Sequence, residues 1–375
     1  MQQKIFKPDY SHGLVNLSNS LAVHFGLPAK HPTLPELDRA LNAHDYKNVV
    51  LLVMDGMGSD MLRRNLPENS FLRSHLRADI SSVYPPTTAA ATTSIYSGLT
   101  PKEHGWAGWQ CYFKEYDKNI ELFRDVELYS QQPTGTHVSK DFLDYKKLFE
   151  QINDAGKYQA HGVAVFWGDF AISSFDDVCN KIAELSAGPD KKFIMAYWKH
   201  PDGVMHKTGC YSPQTQKTIS DLDAKIAAMS AKLENTLLVI TADHGLIDID
   251  KDIKLNEIKE LDDCLRLLPG IEPRTVAFYV KPEKKADFEQ IFNKHFAKDF
   301  ILLTAEEYIK QGYLGEGKEH PKLREFLGDY IAIAVGTTIL QYQTPDGLEA
   351  PDFAAHHAGL TAKEMEVPLI IYTVD

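Results

Sequence analysis

VVLLVMDGMG, residues 49–58, is an unbroken apolar run that stops on Asp55 and turns through two glycines. A short run of this kind, closed by glycine, reads as a strand buried on both faces. The figure recurs twice. FIMAYWKHPD (193–202) ends at Asp202, and LLVITADHG (237–245) runs into Asp243 and His244. A fourth segment, AAHHAGL (354–360), brings His357 just ahead of a last apolar run, VPLIIY (367–372). In an open parallel sheet, ligands sit outside the carboxyl ends of the strands. Carboxylates and imidazoles gathered there suit metal ions, and the pattern predicts a two-metal hydrolase.

Working outward, strands are expected over 48–55, 79–84, 160–166, 193–198, 236–241 and 366–373, with helices over 59–75 and 88–98. Strands alternating with helices argue for a doubly wound, mostly parallel α/β sheet with helices on both faces. The rhythm breaks from about 251 to 345, where PRTVAFYVKP, ADFEQIFNKHFA and FLGDYIAIAVG form a small α/β unit. We expect a catalytic metal-binding domain from 1–250 and 346–375 and an inserted cap subdomain over 251–345. A plain continuation of the main sheet is the alternative.

The chain has 375 residues, 43% of them hydrophobic and 25% charged, and a formal net charge of −12. That balance repels polyanions and disfavours long nucleic acid as a partner. A small phosphorylated substrate is still compatible, because metal charge dominates the field within a site. The four cysteines, Cys111, Cys179, Cys210 and Cys264, form no C-x-x-C pair. They read as buried or free thiols of a reducing compartment. No signal-peptide core and no run of membrane-spanning length is seen, so the expected setting is cytoplasmic, with no membrane partner.

The segment YPPTTAAATTSIYSGL (84–99) carries the candidate nucleophile. Two prolines force a turn, and Thr87 and Thr88 fall where a helix would be capped. A helix N-terminus presents free N–H groups to a phosphate, and a hydroxyl there faces the phosphoryl group. A threonine in such a place is by itself usually only a cap. In HPDGVMHKTG (200–209), Asp202 and His206 stand four apart and can face one way on a helical turn. His200 is poorly spaced for the same ion and is read either as a support behind the ligands or as a substrate contact. Asp243 and His244 are adjacent, so the chain must twist to bring both to one ion, which Gly245 permits through a tight turn. Three carboxylates and a threonine alkoxide balance two divalent ions. Imidazoles and carboxylates without thiolates suit zinc first and manganese second.

Taken in order, MDGMG, PPTTAAATTSIYSGLTPKEHG, PDGVMHKTG, TADHG and HHAGLTAKEMEVPLI resemble the alkaline phosphatase superfamily, in particular its type I phosphodiesterase and nucleotide pyrophosphatase branch. The motifs cover most of the chain. The resemblance implies an alkaline-phosphatase-like fold and two divalent metal ions. Asp55, Thr88, Asp243 and His244 would hold one ion, and Asp202, His206 and His357 the other, with His356 the competitor for His357. Thr88 would be the catalytic nucleophile, with Thr87 the competitor one register away. The implied reaction is hydrolysis of phosphodiester or pyrophosphate bonds through a covalent phospho-threonine, with nucleotides among the candidate substrates. Phosphomonoester or phosphonate hydrolysis on the same core is the alternative, and a catalytically inactive metal-binding domain is a weaker one. Trp106 and Trp109, after the EHG turn, are candidate substrate contacts, as are Lys199 and His200. A packed loop core is the competing reading of the two tryptophans. Oligomeric state is not legible in the sequence.

Overall fold

The computed structural model describes residues 4–165, 167–343 and 351–374. Residue 166, at the end of the expected 160–166 strand, and the expected boundary at 345/346 lie outside the described residues. The central sheet has six strands, in the order Leu76–Ser81, Glu366–Val374, Thr236–Thr241, Asn48–Met54, Lys192–Trp198 and Gln159–Val163. Asn48–Met54 lies in the middle. It pairs in parallel with Lys192–Trp198 as far as Met54 opposite Trp198, and with Thr236–Thr241 as far as Val53 opposite Thr241. All residues of these three strands are buried, as apolar runs covered on both faces require. Because the three end level, Asp55, Asp202 and Asp243 emerge on the same edge.

Glu366–Val374 is the exception to parallel order. It runs antiparallel to both neighbours, with Glu366 opposite Ser81 and Val374 opposite Thr236. Its N-terminal end therefore lies at the carboxyl edge of the other strands. That reversal is what delivers His357, a few residues upstream, to the edge where the aspartates emerge.

Three expected elements differ. The strand expected over 160–166 runs Gln159–Val163. The strand expected over 79–84 runs Leu76–Ser81, and residues 82–84 leave the sheet before the prolines. The helix expected over 59–75 is two helices, Ser59–Asn65 and Phe71–Ser74. Pro67 cannot continue a helix, and Ser70 starts the second by accepting a hydrogen bond from the Arg73 amide. The expected 88–98 helix is present as Thr88–Ser97, closed by Gly98 at φ +71. It packs on a helix that the sequence reading did not single out, Leu14–His24. The buried Ser18 and Asn19 of that helix donate to the Ile95 and Gly98 carbonyls.

A separate antiparallel sheet of seven strands lies beside the first. Phe300–Thr304, Tyr330–Ala334, Thr275–Val280 and Leu265–Glu272 come from the 251–345 segment. Gln110–Phe113, Lys118–Glu121 and Val126–Glu127 complete it, so the sheet reaches outside that segment. Alternation divides its side chains between two cores. Val276, Phe278 and Val280 pack with Phe288, Phe292 and Phe296 of the Lys285–Phe296 helix, and Ala277 and Tyr279 face the opposite core. All four cysteines are buried and free. Among the described residues no helix is long and apolar enough to cross a membrane.

Residues 272–275, between two strands of the second sheet, tie it to the first. Arg274 and Glu364 are fully buried and paired twice, at 2.7 and 2.9 Å. Two further guanidinium donors reach the Thr338 and Gly336 carbonyls. Glu364 also accepts from the Gly359 amide and the Thr361 hydroxyl, and the Thr275 hydroxyl donates to the Ala358 carbonyl. The turn that carries His357 is therefore held from both sides. Ala358 itself sits at φ +83, a conformation costly for a residue with a Cβ.

Two stability outcomes follow from this turn. Glu364→Gln leaves Arg274 as an unpaired buried charge and is expected to lower the unfolding free energy by about 3–5 kcal/mol. Urea denaturation of the chelated protein checks it, and a loss below about 1 kcal/mol would show that the pair is dispensable. Ala358→Gly removes the left-handed penalty at some cost in chain entropy. It is expected to raise stability by about 0.5–1 kcal/mol in the same assay, where a loss would contradict the strain argument.

Candidate active site

The three strand-end aspartates and three histidines converge. Oxygens of Asp55 and Asp243 lie 3.4 and 3.6 Å from His244 Nε2. Ligand atoms of Asp55, Asp243 and His244 all lie within 4.8 Å of one another, and so do those of Asp202, His244 and His357. The two triads overlap on His244. His206 Nε2 is 3.2 Å from Asp202 Oδ1, and His357 Nε2 is 4.0 Å from the same oxygen. The Nδ1–H of His206 donates to the Ala355 carbonyl at 2.9 Å, and that of His244 faces the Gly245 carbonyl at 3.2 Å. A carbonyl only accepts, so each ring carries a proton on Nδ1 and turns its Nε2 toward the acids. The Nδ1 of His356 likewise meets the backbone, at His357, but His356 belongs to neither triad.

Gly245 is required here, but not for a left-handed turn. A Cβ at this position would lie 2.0 Å from the Lys363 carbonyl oxygen. The left-handed glycine is Gly56, at φ +73 directly after Asp55.

The electrostatics favour a cation. Burial, then the charges of Asp243 and Asp202, push the Asp55 carboxyl well above its usual range. Burial also raises Asp243. Burial lifts Asp202 too, but the charge and hydrogen bond of His206 outweigh it and hold the carboxyl low. Desolvation and the neighbouring imidazoles hold His357 well below the ordinary histidine value. Among the described residues the ion pairs of these three acids are all with histidines, none with lysine or arginine. Asp243 Oδ2 and His357 Nδ1 are buried without a hydrogen-bond partner. Packed carboxylates with an orphaned oxygen, facing imidazole nitrogens and no thiolate, fit divalent ions.

The two threonines point to different partners. Thr87 precedes the helix in extended conformation, and its hydroxyl donates to Glu272 Oε1 at 2.6 Å instead of capping the helix. Thr88 is the first helical residue, and all the rest of the helix is buried. Its Oγ1 lies 3.2 Å from His244 Nε2 and 3.5 Å from Asp55 Oδ1.

The remaining candidates are more dispersed. Trp106 turns its ring into the second core, where its Nε1 donates to the Leu143 carbonyl. Trp109 is half-buried, and its ring meets the exposed Phe123 at 5.3 Å. His200 is half-buried with its Nδ1 unpartnered, and Lys199 beside it is exposed.

Two residues were missed. Tyr197, near the end of its strand, donates to Asp55 Oδ2. A tyrosine inside an otherwise apolar strand needs a hydroxyl partner, and that was the available signal. Glu272 ends the strand Leu265–Glu272 and is buried, which raises its carboxyl to about 7. An apolar run ending on an acid is the figure that marked Asp55, and it applies to Glu272 as well.

Known proteins resemble this chain in sequence and in fold. Residues 49–357 match the family described as type I phosphodiesterase / nucleotide pyrophosphatase. Human ectonucleotide pyrophosphatase/phosphodiesterase family member 5 is 35% identical over 131 residues, which is 32% of this chain and 27% of that protein. Human bis(5'-adenosyl)-triphosphatase ENPP4 is 22% identical over 235 residues, 58% of this chain and 50% of that protein. The chain thus spans half or less of the length of these relatives. Murine ectonucleotide pyrophosphatase / phosphodiesterase 5 has the same fold, with a TM-score of 0.65 at 19% identity over 86% of this chain and 87% of that one. Its inactive variant in complex with AMP gives 0.66 at 18% identity, with the same coverage. With a match running from the central strand to His357, the chain belongs to the type I phosphodiesterase / nucleotide pyrophosphatase family, within the alkaline phosphatase superfamily.

Proposed function

We propose that this protein is a metal-dependent hydrolase of phosphodiester or pyrophosphate bonds, acting through a covalent phospho-threonine at Thr88. The observation that carries the reading is the Thr88 hydroxyl at the open start of its helix, 3.2 Å from His244 and 3.5 Å from Asp55. Asp55, Thr88, Asp243 and His244 hold one divalent ion in this reading, and Asp202, His206 and His357 hold the other. Zinc suits the donors first and manganese second. Bound ions supply Lewis-acid charge for phosphate oxygens and lower the pKa of a coordinated hydroxyl.

The chain's own groups do the rest. Thr88 Oγ forms a bond to phosphorus as the bond to the leaving oxygen breaks. Water then attacks the same phosphorus, and Thr88 departs with its oxygen. Tyr197 holds Asp55 through its other oxygen, which fixes that carboxylate for its role. The free N–H groups at the start of Thr88–Ser97 face the incoming phosphate.

Small nucleoside phosphates are the substrates we favour. The AMP complex of the murine neighbour and the adenosyl-triphosphatase name of a human relative support that class. A monoester dianion carries one more negative charge than a diester and asks for extra cationic donors. Lys199 and Lys207 are both exposed, and neither forms an ion pair among the described residues.

The test is a panel of p-nitrophenyl phosphate, bis-p-nitrophenyl phosphate and p-nitrophenyl nucleotide esters, assayed with zinc and with manganese. Higher kcat/KM on the diesters is expected, and a preference for the monoester would make this a monoesterase. Thr88→Ala is expected to lower kcat at least ~10³-fold with metal content and fold retained. Thr87→Ala dead beside an active Thr88→Ala would move the nucleophile by one residue.

Metal binding carries a pH signature. Asp55 and Asp243 hold protons more tightly in the folded, metal-free chain than in the unfolded one. Their contribution to the stability of the chelated protein is complete below the ordinary carboxylate value, about 4, and is lost as pH rises through the raised values. Metal displaces those protons, whereas His357 is already neutral. The rise in Tm on adding zinc is therefore expected to be larger at pH 8 than at pH 5. Thermal melts with and without chelator at both values check this, and an equal rise would contradict it.

A further inference from the structure

The second sheet reaches Thr87 through the side chain of Glu272. Glu272 Oε1 accepts the Thr87 hydroxyl at 2.6 Å and the Trp109 amide at 2.8 Å. Glu272 is only 4% exposed, so water does not replace either donor readily. Thr87 is fully buried, and its own backbone amide is spent on the Pro85 carbonyl. With its hydroxyl fixed as well, Thr87 has no freedom to rotate, and Thr88 follows it directly into the helix. The same acid sets the path of the loop that presents Trp109.

We propose that Glu272 is a positioning residue for the reaction. By accepting Thr87 Oγ1–H and the Trp109 amide on one oxygen, it locks the turn so that the Thr88 hydroxyl, and not that of Thr87, faces Asp55 and His244. The inference rests on the reading of Thr88 as the nucleophile. It assigns to the 272–275 segment a role in placing the reacting oxygen, beyond its hold on the His357 turn. The partner groups are short-range hydrogen bonds, so an acceptor at position 272 is needed and a negative charge is not. That separates Glu272 from the metal-facing acids, where the charge itself is used.

The experiment compares Glu272→Ala, Glu272→Gln, Thr87→Val and the double variant Glu272→Ala/Thr87→Val, all zinc-loaded, on a p-nitrophenyl nucleotide ester. Glu272→Ala and Thr87→Val are each expected to lower kcat about tenfold or more, with KM and zinc content within about twofold. The double variant falls no further than the worse single one, because both remove the same bond. Glu272→Gln keeps an acceptor oxygen and stays within about threefold of the parent. Unchanged kcat in Glu272→Ala, losses that multiply in the double variant, or a Glu272→Gln as slow as Glu272→Ala would overturn the proposal. If Glu272→Ala does not fold, Thr87→Val against Thr87→Ser decides it. The serine should hold kcat near the parent, and equal rates in both would sink the idea. Hydrogen exchange of the Trp109 amide in the metal-free protein gives a readout independent of turnover. Protection lost in Glu272→Ala and kept in Glu272→Gln supports the clamp, and protection unchanged in Glu272→Ala overturns it. An active Thr88→Ala would instead reject the nucleophile reading while leaving this exchange result interpretable.

Discussion

Repulsion among Asp55, Asp202 and Asp243 is the constraint to which the rest of the molecule answers. Three carboxylates are brought to one buried edge, and no lysine or arginine among the described residues pairs with them. Such a group is tolerable only if protonated or opposed by cations. Imidazole nitrogens enter from the Asp202–Thr208 helix, from the strand end at His244 and from the turn at His357. The site therefore combines charge for an ion with neutral donors to complete its coordination. The Thr88 hydroxyl stands among these groups, where a metal would change its chemistry most.

The sheet makes this gathering possible through register. Adjacent parallel strands that end level put their following residues side by side, which serves Asp55, Asp202 and Asp243. His357 cannot arrive by that route, since it precedes its strand. Reversing Glu366–Val374 places the strand's beginning at the shared edge and solves the problem. Tyr197 uses the same geometry from within a strand, one position before its end, to reach Asp55.

The second sheet is more than a cover. Residues 272–275 contact the Thr87 turn through Glu272, the Tyr84 hydroxyl through Thr275, and the His357 turn through Thr275 and the Arg274–Glu364 pair. Segments that carry groups for the site are thus braced from one short stretch. A buried arginine held by four hydrogen bonds is costly to assemble but resists small displacements once formed. That rigidity keeps the Thr88 hydroxyl near Asp55 and His244.

Local sequence determined the parts that depend on short-range rules. Apolar runs ending on Asp55, Asp202 and Asp243 made strands with acids at their tips, because burial on both faces and a glycine turn need only neighbouring residues. The 88–97 helix, the candidate ligands and the family were legible for the same reason, each motif being contiguous. Pro67 was visible in the 59–75 segment too, and its break was a local signal passed over. What only the tertiary structure decided involves partners far apart in the chain. Both Thr87 and Thr88 fall at the cap of the helix, and the fold gives them different partners: Thr87 meets Glu272, 185 positions away, while Thr88 faces His244 and Asp55. Gly245 needs its missing Cβ because Lys363 passes behind it, not because of its own turn. The second sheet recruits residues 110–127 through pairing of Gln110 with Ile271, a contact no local propensity encodes. Periodicity and caps act over a few residues, whereas these choices are fixed by packing between segments that meet only in the folded chain.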